Sequence, residues 1–301
     1  MEEKNSLRQE CGQKTRIAIT CEVIGEKNFA CYGAAVNPPP HVGKLLRQWR
    51  QRRRLSQLEL ACAAEISSRH VSFVETGRSL PSREMLLHLS SILDIPLRDR
   101  NLVLLTGGYA PIFKETPLQD SDLRLAREAI ELMIHGHEPY PALAFDRRWT
   151  LVAQNKAHAR LLRGVDAELL RPPVNVLRLA LHPAGLAPRI VNLAEFRGYV
   201  FKRLRRDMTM TDDPLPARLL DEFGTYPHPD GHAPIAAVMD SKFTGMVVRL
   251  QLVIEGASLS LFTASTVLGT PLDITLSELA IESYFPANQQ TADTLREWAA
   301  S

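Results

Sequence analysis

The segment Val42–Gly77, VGKLLRQWRQRRRLSQLELACAAEISSRHVSFVETG, decides how the first part of this chain folds. Between Lys44 and Arg54, Leu45, Leu46 and Trp49 recur at helical spacing, while Lys44, Arg47, Arg50, Arg52, Arg53 and Arg54 supply a cationic face. Ser56 with Glu59 three residues later forms a capping box, so a second helix starts there. Its small residues Ala61 and Ala64 let another helix approach closely. Ser67 is the next N-cap, because its hydroxyl can accept from the free N–H groups of the following turn. The third helix runs from about Ser68 to Thr76, with Val71 and Val74 inward and Gly77 as its left-handed stop. Pro81-Ser82 opens a fourth helix carrying Met85, Leu86, Leu89, Ile92 and Leu93 toward the core, and Asp94-Ile95-Pro96 ends it. A fifth runs from Leu97 to Thr106 and closes at Gly107-Gly108. Short capped helices joined by tight turns are the sequence form of a helix-turn-helix unit, whose second member enters the DNA major groove.

LSQ before a small-residue helix, then ISSRHVSFVETGRSLPS and a leucine-rich helix, closely resembles the lambda-repressor-like, XRE-family DNA-binding domain, from Pro40 to Phe113. The resemblance implies an all-α five-helix domain in which the third helix meets base edges through Ser68, Arg69 and Phe73, with His70 and Ser72 nearby. It implies that Gln57 braces the phosphate backbone and that Arg50 and Glu75 tie the first helix to the third. Arginine at the start of a recognition helix can donate two hydrogen bonds to guanine O6 and N7. Phe73 departs from the polar residue common at its place, and either touches a thymine methyl or packs on the domain. Arg52, Arg53, Arg54 and Arg78 are expected on the DNA backbone; the ordinary alternative for such a run is a solvated face.

Charge follows the same division. The net charge of the 301-residue chain is only +2. Residues 42–115 hold twelve Lys and Arg against seven Asp and Glu, whereas residues 116–301 hold nineteen against twenty-two. The positive excess sits where phosphate contact requires it. The length predicts about two domains. No run of eighteen apolar residues marks a membrane span, and no charged, apolar and cleavage-site series marks secretion, so a cytoplasmic protein is expected. Cys11, Cys21, Cys31 and Cys62 lack close C-x-x-C pairing. Residues 1–39, ending in Pro38-Pro39, are expected to form a flexible arm or an upstream extension from an early start codon.

Beyond residue 113 the period changes. Ser121 is the expected cap of an amphipathic helix bearing Leu123, Ala126, Ile130, Leu132 and Met133, within a linker over 114–138. PALAFD and WTLVAQ then read as two strands around Asp146-Arg147-Arg148, and Asn155 caps a helix. Val174 to Phe223 reads as mostly helical. APIAAVMD, GMVVRLQLVIEG and ASLSLFTAST read as antiparallel strands, with Glu255-Gly256 as a hairpin turn.

PYPALAFDRRWTLVAQNKAHARLL, NVLRLALHPAGLAPRIVNLAEFRGYVFKRL and LFTASTVLGTPLDITLSELAIESYFPAN resemble the MmyB-like ligand-binding domain that follows such a DNA module in many bacterial regulators. The resemblance implies an α+β, PAS-like domain over 139–301 with an antiparallel sheet, holding a small hydrophobic molecule of which a fatty acid is the leading class. A lipid carboxylate in an apolar space needs a cationic or donor-rich end. His182, Arg189 and Asn192, with Arg197 one turn further, are the candidates for that end; Phe145, Trp149 and Phe196 are candidates for the apolar lining. The alternative is that the aromatics are core and the arginines structural partners.

Enzymatic patterns are missing from the sequence. His135-x-His137 and His228-x-x-x-His232 lack a metalloprotease helix or cysteine pair, and Asp212-Asp213 and Asp221-Glu222 are adjacent acids whose side chains diverge. No nucleophile elbow, Walker loop or dinucleotide glycine pattern occurs, so neither an enzyme nor a cofactor is expected. The expected function is a homodimeric transcription regulator on a double-stranded DNA operator, its two recognition helices about 34 Å apart. The alternatives are an antitoxin-type or adaptor protein that binds a protein partner, and a DNA-binding protein whose second domain only dimerises.

Overall fold

The computed structural model describes residues 41–211, 213–227, 249–268 and 272–301. The arm expected over 1–39, the strand expected over APIAAVMD, and His228 and His232 lie outside those residues. The first domain contains α1 (Val42–Arg52), α2 (Gln57–Ala63), α3 (Ser68–Glu75), α4 (Arg83–Ile92) and α5 (Leu97–Thr106). The serines read as caps do that work. Ser56 Oγ accepts from Glu59 N at 3.1 Å while the Glu59 carboxylate accepts from Ser56 N at 2.7 Å. Ser67 accepts from His70 N at 3.1 Å and Ser82 from Met85 N at 3.2 Å.

Helix α1 begins two residues before Lys44 because His41 caps it, its Nδ1 accepting from Gly43 N at 3.1 Å. Gly43 faces α3. A Cβ there would stand 2.0 Å from the Val74 carbonyl oxygen, so only glycine allows the two helices to meet. The stops are left-handed residues: Arg54, Glu65, Gly77 and Asp94 have φ of 57, 54, 75 and 47°. Gly77 adopts it without the steric cost that a Cβ brings. Leu46, Trp49, Leu60, Val74, Leu86 and Leu104 fill the core, and each such burial stabilises by roughly 1.5–3 kcal/mol.

The second domain is α+β. It comprises α6 (Arg124–His135), β1 (Ala142–Phe145), β2 (Leu151–Gln154), α7 (Lys156–Leu161), α8 (Val176–Leu181), α9 (Leu193–Met210), α10 (Leu215–Gly224), β3 (Arg249–Ile254), β4 (Ala257–Val267), α11 (Ile274–Ser277), β5 (Ala280–Pro286) and α12 (Gln289–Ala300). Among the described residues five strands form one antiparallel sheet in the order β2-β1-β5-β4-β3. Glu255 and Gly256 make the β3–β4 turn with φ of 51 and 80°, the paired left-handed geometry that suits a tight hairpin. The central strand β5 joins the two hairpins, pairing Leu143 of β1 with Glu282 and Ser265 of β4 with the same residue.

Helix α6 covers one face of the sheet, laying Ile130 and Ile134 against Ala142, Ala144 and Ile281. Only part of its apolar set turns inward. Leu123, Ile130 and Ile134 are buried, whereas Leu132 is 75 % exposed and Met133 also faces outward. Asp120, not Ser121, caps the entry, through a short 3-10 turn over Ser121–Leu123. Helices α8, α9 and α10 cover the opposite face through Leu177, Leu204 and Phe223, against Leu143 and Phe145. Asn155, 1 % exposed, joins three elements. Its Oδ1 accepts from Ala142 N at 3.0 Å and His158 N at 2.9 Å, and its Nδ2 donates to Tyr140 O at 2.7 Å and Ile134 O at 3.3 Å. Every donor and acceptor of that buried amide is used.

The two domains are clasped. Arg98 on α5 meets Glu278, just before β5, at 2.8 Å and Glu115 of the connector at 2.5 Å. Both carboxylates hold the Arg98 pKa above its ordinary value, Glu278 most strongly. Ile274 N donates to Lys114 O at 2.8 Å, and Thr116 N donates to Asp273 Oδ2 at 3.2 Å.

Candidate DNA interface and ligand cavity

Helix α3 presents Ser68 and Arg69 to solvent with Ser72 and Phe73 half-buried beside them, while Val71, Val74 and Glu75 turn inward. The Arg69 guanidinium stacks over the Phe73 ring at 5.2 Å and that of Arg78 at 5.9 Å. Phe73 is therefore a platform that holds two cations at one edge of the helix. His70 gives its backbone N–H to the Ser67 cap and stays partly covered.

Behind that edge, the Glu75 carboxylate accepts from Arg50 Nε at 2.6 Å, from a second Arg50 nitrogen at 3.0 Å and from Gln57 Nε2 at 2.7 Å. Arg50 also donates to Leu55 O at 2.7 Å. The pair implied by the resemblance is present as a bidentate, buried bridge with side chains 9 % and 3 % exposed. Hydrogen bonding to Glu75 raises the Arg50 pKa further. Gln57, expected on phosphate, spends its amide on this node in the described structure and thereby fixes α2 to α3.

The arginine run divides. Arg53 is not placed for phosphate: its Nε donates to Leu93 O at 2.7 Å, and its terminal nitrogens reach the Asp94 carbonyl and Met210 Sδ. It thus covers carbonyls at the C-terminal end of α4, where a cation complements the helix dipole. Arg52 lies over the Trp49 ring at 4.9 Å, and Arg54 is exposed at the left-handed stop of α1.

The expected polar end of a ligand site does not assemble. Arg189 donates to Leu161 O at 3.2 Å and Arg163 O at 2.6 Å, closing the end of α7. Arg197 donates to the Phe223 carbonyl and to Tyr226 O at 3.1 Å, closing α10. Asn192 donates to Arg249 O at 2.6 Å and accepts from Gln251 N at 3.0 Å, pinning the edge strand β3. His182 accepts from Ala184 N at 3.0 Å and sets its ring edge against Tyr226. Each group satisfies backbone that its own neighbourhood leaves open, so none is directed at an interior space. Phe145 and Trp149 stack at 4.8 Å under the Arg203 guanidinium, which is 4.3 Å from the Trp149 ring, and they belong to the core.

Of the expected lining residues only Phe196 faces the internal cavity. That cavity, about 50 Å³, lies between the sheet and α7–α9 among Leu143, Leu177, Leu250 and Phe196, with His158, Glu282 and Tyr284 as its polar groups. A groove of about 410 Å³ opens to solvent beside it, and Leu162 lines both spaces. The signal for Glu282 was present in the sequence: an acid in the alternating run AIESYF puts a carboxylate on the inner face of a strand. Among the described residues no His, Cys, Asp and Glu group is arranged to hold a metal ion, and no helix is long and apolar enough to cross a membrane.

A five-helix DNA-binding unit clasped to an α+β domain with an interior cavity defines a helix-turn-helix protein with an attached sensory module. Residues 41–103 match the helix-turn-helix domain family, and residues 126–297 match the family described as MmyB-like transcription regulator ligand binding domain. The chain belongs to this MmyB-like transcription regulator family. Both matched domains are those of a transcription regulator, not of an enzyme. The chain is also similar to Multiprotein-bridging factor 1 of Candida albicans, 34 % identical over 61 residues, which is 20 % of this chain and 40 % of that protein. A solved structure described as an RNA-binding light-oxygen-voltage receptor aligns over 86 % of this chain and 62 % of its own, at 11 % identity and a TM-score of 0.26.

Proposed function

We propose that this protein is a bacterial, cytoplasmic transcription regulator that binds a specific operator as a homodimer and changes its grip when a small hydrophobic molecule occupies the second domain. The observation that carries the DNA half is the exposed Ser68–Arg69 start of α3, with Arg69 and Arg78 braced on Phe73 and the helix locked from behind by Glu75. In this reading Arg69, Ser68 and Ser72 meet base edges, with His70 and Phe73 beside them. Arg52, Arg54 and Arg78 meet phosphate, while Arg53 and Gln57 hold the helices that carry them.

Dimerisation is assigned to the outer face of α6, where Leu125, Leu132 and Met133 are exposed in one stripe with the small Ala129 between them. The ligand is assigned to the cavity and its adjoining groove. The fatty-acid form of the reading relied on a cationic anchor, and Arg189 and Arg197 are occupied elsewhere. What remains supported is a largely apolar guest.

Selection of binding sites from random duplex DNA tests the DNA half, followed by titration of the selected site at several salt concentrations. A specific regulator enriches a two-fold-related motif and loses affinity steeply with salt. A second reading follows from the likeness to a protein named as a bridging factor: the helical domain is an adaptor for another protein. No enriched motif, with a stoichiometric protein partner retained on purification, would replace the operator reading with that one.

A further inference from the structure

Side chains of a strand alternate between faces, so Glu282 and Tyr284 on β5 share the face that carries Leu143, the β1 partner of Glu282. That face looks into the internal cavity. Among the described residues the Glu282 carboxylate accepts no hydrogen bond, and its partner is Arg203, in an ion pair at 3.7 Å. Arg203 is committed to the aromatic pair beneath it, 4.3 Å from Trp149 and 5.6 Å from Phe145. The side chain of Glu282 keeps 12 % exposure although it lies in the middle of the sheet, so what it sees is the cavity.

His158 completes the polar wall. Its Nδ1 lies 2.6 Å from Gln154 Oε1, and since an amide oxygen only accepts, the Nδ1 carries the proton. The Nε2 is then an acceptor. Burial pushes the imidazole pKa down to about 4, which keeps the ring neutral. Burial also pushes Glu282 upward, while Arg203 pulls it back. In either protonation state the Glu282 carboxyl can accept, and in neither does it neutralise a ligand carboxylate.

The space outside the cavity suits an apolar chain. Leu162 lines both the cavity and the 410 Å³ groove, and a groove of that volume falls in the range of roughly 300–1,000 Å³ that small-molecule sites occupy. Leu151, Val165, Leu170 and Val174 give the groove a surface against which hydrocarbon can lie, with Gln154 and Arg163 also on its wall and Arg163 paired with Glu255 at 3.3 Å.

We infer that the site takes an amphiphile whose head donates hydrogen bonds, a hydroxyl or an amine, to Glu282 and His158, with its hydrocarbon chain running past Leu162 into the groove. This rests on the ligand-binding reading above and narrows its ligand class, replacing a cation-anchored carboxylate with a donor head. Glu282 and the His158 Nε2 accept while the Tyr284 phenol donates, and an anionic head placed against an ionised Glu282 is disfavoured because one carboxylate must be desolvated beside another.

Native mass spectrometry of the full-length protein with dodecanol, dodecylamine and dodecanoic acid, joined to calorimetric titration, tests the inference. The alcohol or the amine should bind at least about tenfold more tightly than the acid, the scale of one charge-assisted hydrogen bond. Glu282→Gln keeps the shape and removes the charge, so the gap to the acid should shrink. A preference for amine over alcohol that vanishes in Glu282→Gln assigns the head as an ammonium, whereas equal binding of the two assigns a neutral donor. Should Glu282→Gln fail to fold, the head preference of the unmodified protein decides alone. Acid binding as tight as alcohol and amine overturns the inference and leaves the ligand-binding reading standing. Binding of none of the three, with the operator still recognised, removes the ligand reading and the inference with it.

Discussion

Glu75 accepts from both Arg50 and Gln57, so deleting its carboxylate would leave a buried guanidinium without its counter-charge. Glu75→Ala should lower the stability of the helical domain by about 3–5 kcal/mol, the range for breaking a buried pair from one side. Urea unfolding followed by helical circular dichroism measures it, and a loss below 1 kcal/mol, about that of an exposed pair, would show that the node is dispensable. His158 makes a different prediction, because its folded pKa of about 4 lies below the ordinary value of 6.5. The unfolded chain then takes up the proton first, so this stabilising contribution is complete above pH 6.5 and is lost as pH falls toward 4. Glu282, with its folded pKa raised, acts in the opposite sense, gaining as pH drops. His158→Gln should flatten the acid limb of thermal melts between pH 6.5 and 4, and an unchanged limb would assign the acid sensitivity elsewhere. The Arg50–Glu75 pair was legible because it recurs in a known arrangement. The duties of Arg53, Arg189 and Arg197 were not, since each closes on backbone carbonyls 26 to 40 positions away in the chain.

Helix starts were readable because an N-cap is local: Ser56, Ser67, Ser82 and Asn155 each bond within three residues of themselves. Helix α6 was legible as an amphipathic helix, but three of its apolar residues project outward, and spacing alone does not say which apolar stripe meets a sheet. Strand β5 was missed for a related reason. Its Glu282 interrupts the apolar face, and its place between β1 and β4 is set by pairings far apart in sequence. Helix α3 is where sequence and structure agree best, and it carries the sharpest test. Arg69→Ala should weaken binding to the selected operator by roughly 1–3 kcal/mol, about five- to 150-fold, and relax preference at one base position. Phe73→Leu keeps apolar bulk and removes the aromatic platform, so it should cost less and leave the same base preferred. Equal loss on specific and nonspecific DNA for Arg69→Ala would move that side chain from base to phosphate. For α6, Leu132→Glu should shift light-scattering mass from dimer to monomer while the thermal melt holds, since Leu132 is 75 % exposed and supports no core.

In the proposed reading, the clasp between domains is the route by which occupancy of the cavity alters the grip on DNA. Glu278 binds Arg98 on α5 and stands 3.4 Å from Arg147 in the β1–β2 turn, while Glu282, four residues on, faces the cavity. A guest that shifts β5 therefore shifts the carboxylate that holds the last helix of the DNA-binding domain. Coupling of this kind is worth about 1–3 kcal/mol, a five- to 150-fold change in affinity, and it demands that one element respond to both sites. Arg98→Ala cuts the charged contact without touching α3 or the cavity. Operator binding followed by fluorescence anisotropy, with and without the amphiphile that binds, should show a ligand response in the unmodified protein and little or none in the variant. Ligand affinity should persist in both. If Arg98→Ala keeps the full response, the signal does not cross at Glu278, and the backbone contact of Ile274 with Lys114 becomes the joint to break next. Loss of ligand binding itself would instead mean that the clasp shapes the cavity, since Glu278 lies two residues before β5, which carries Glu282.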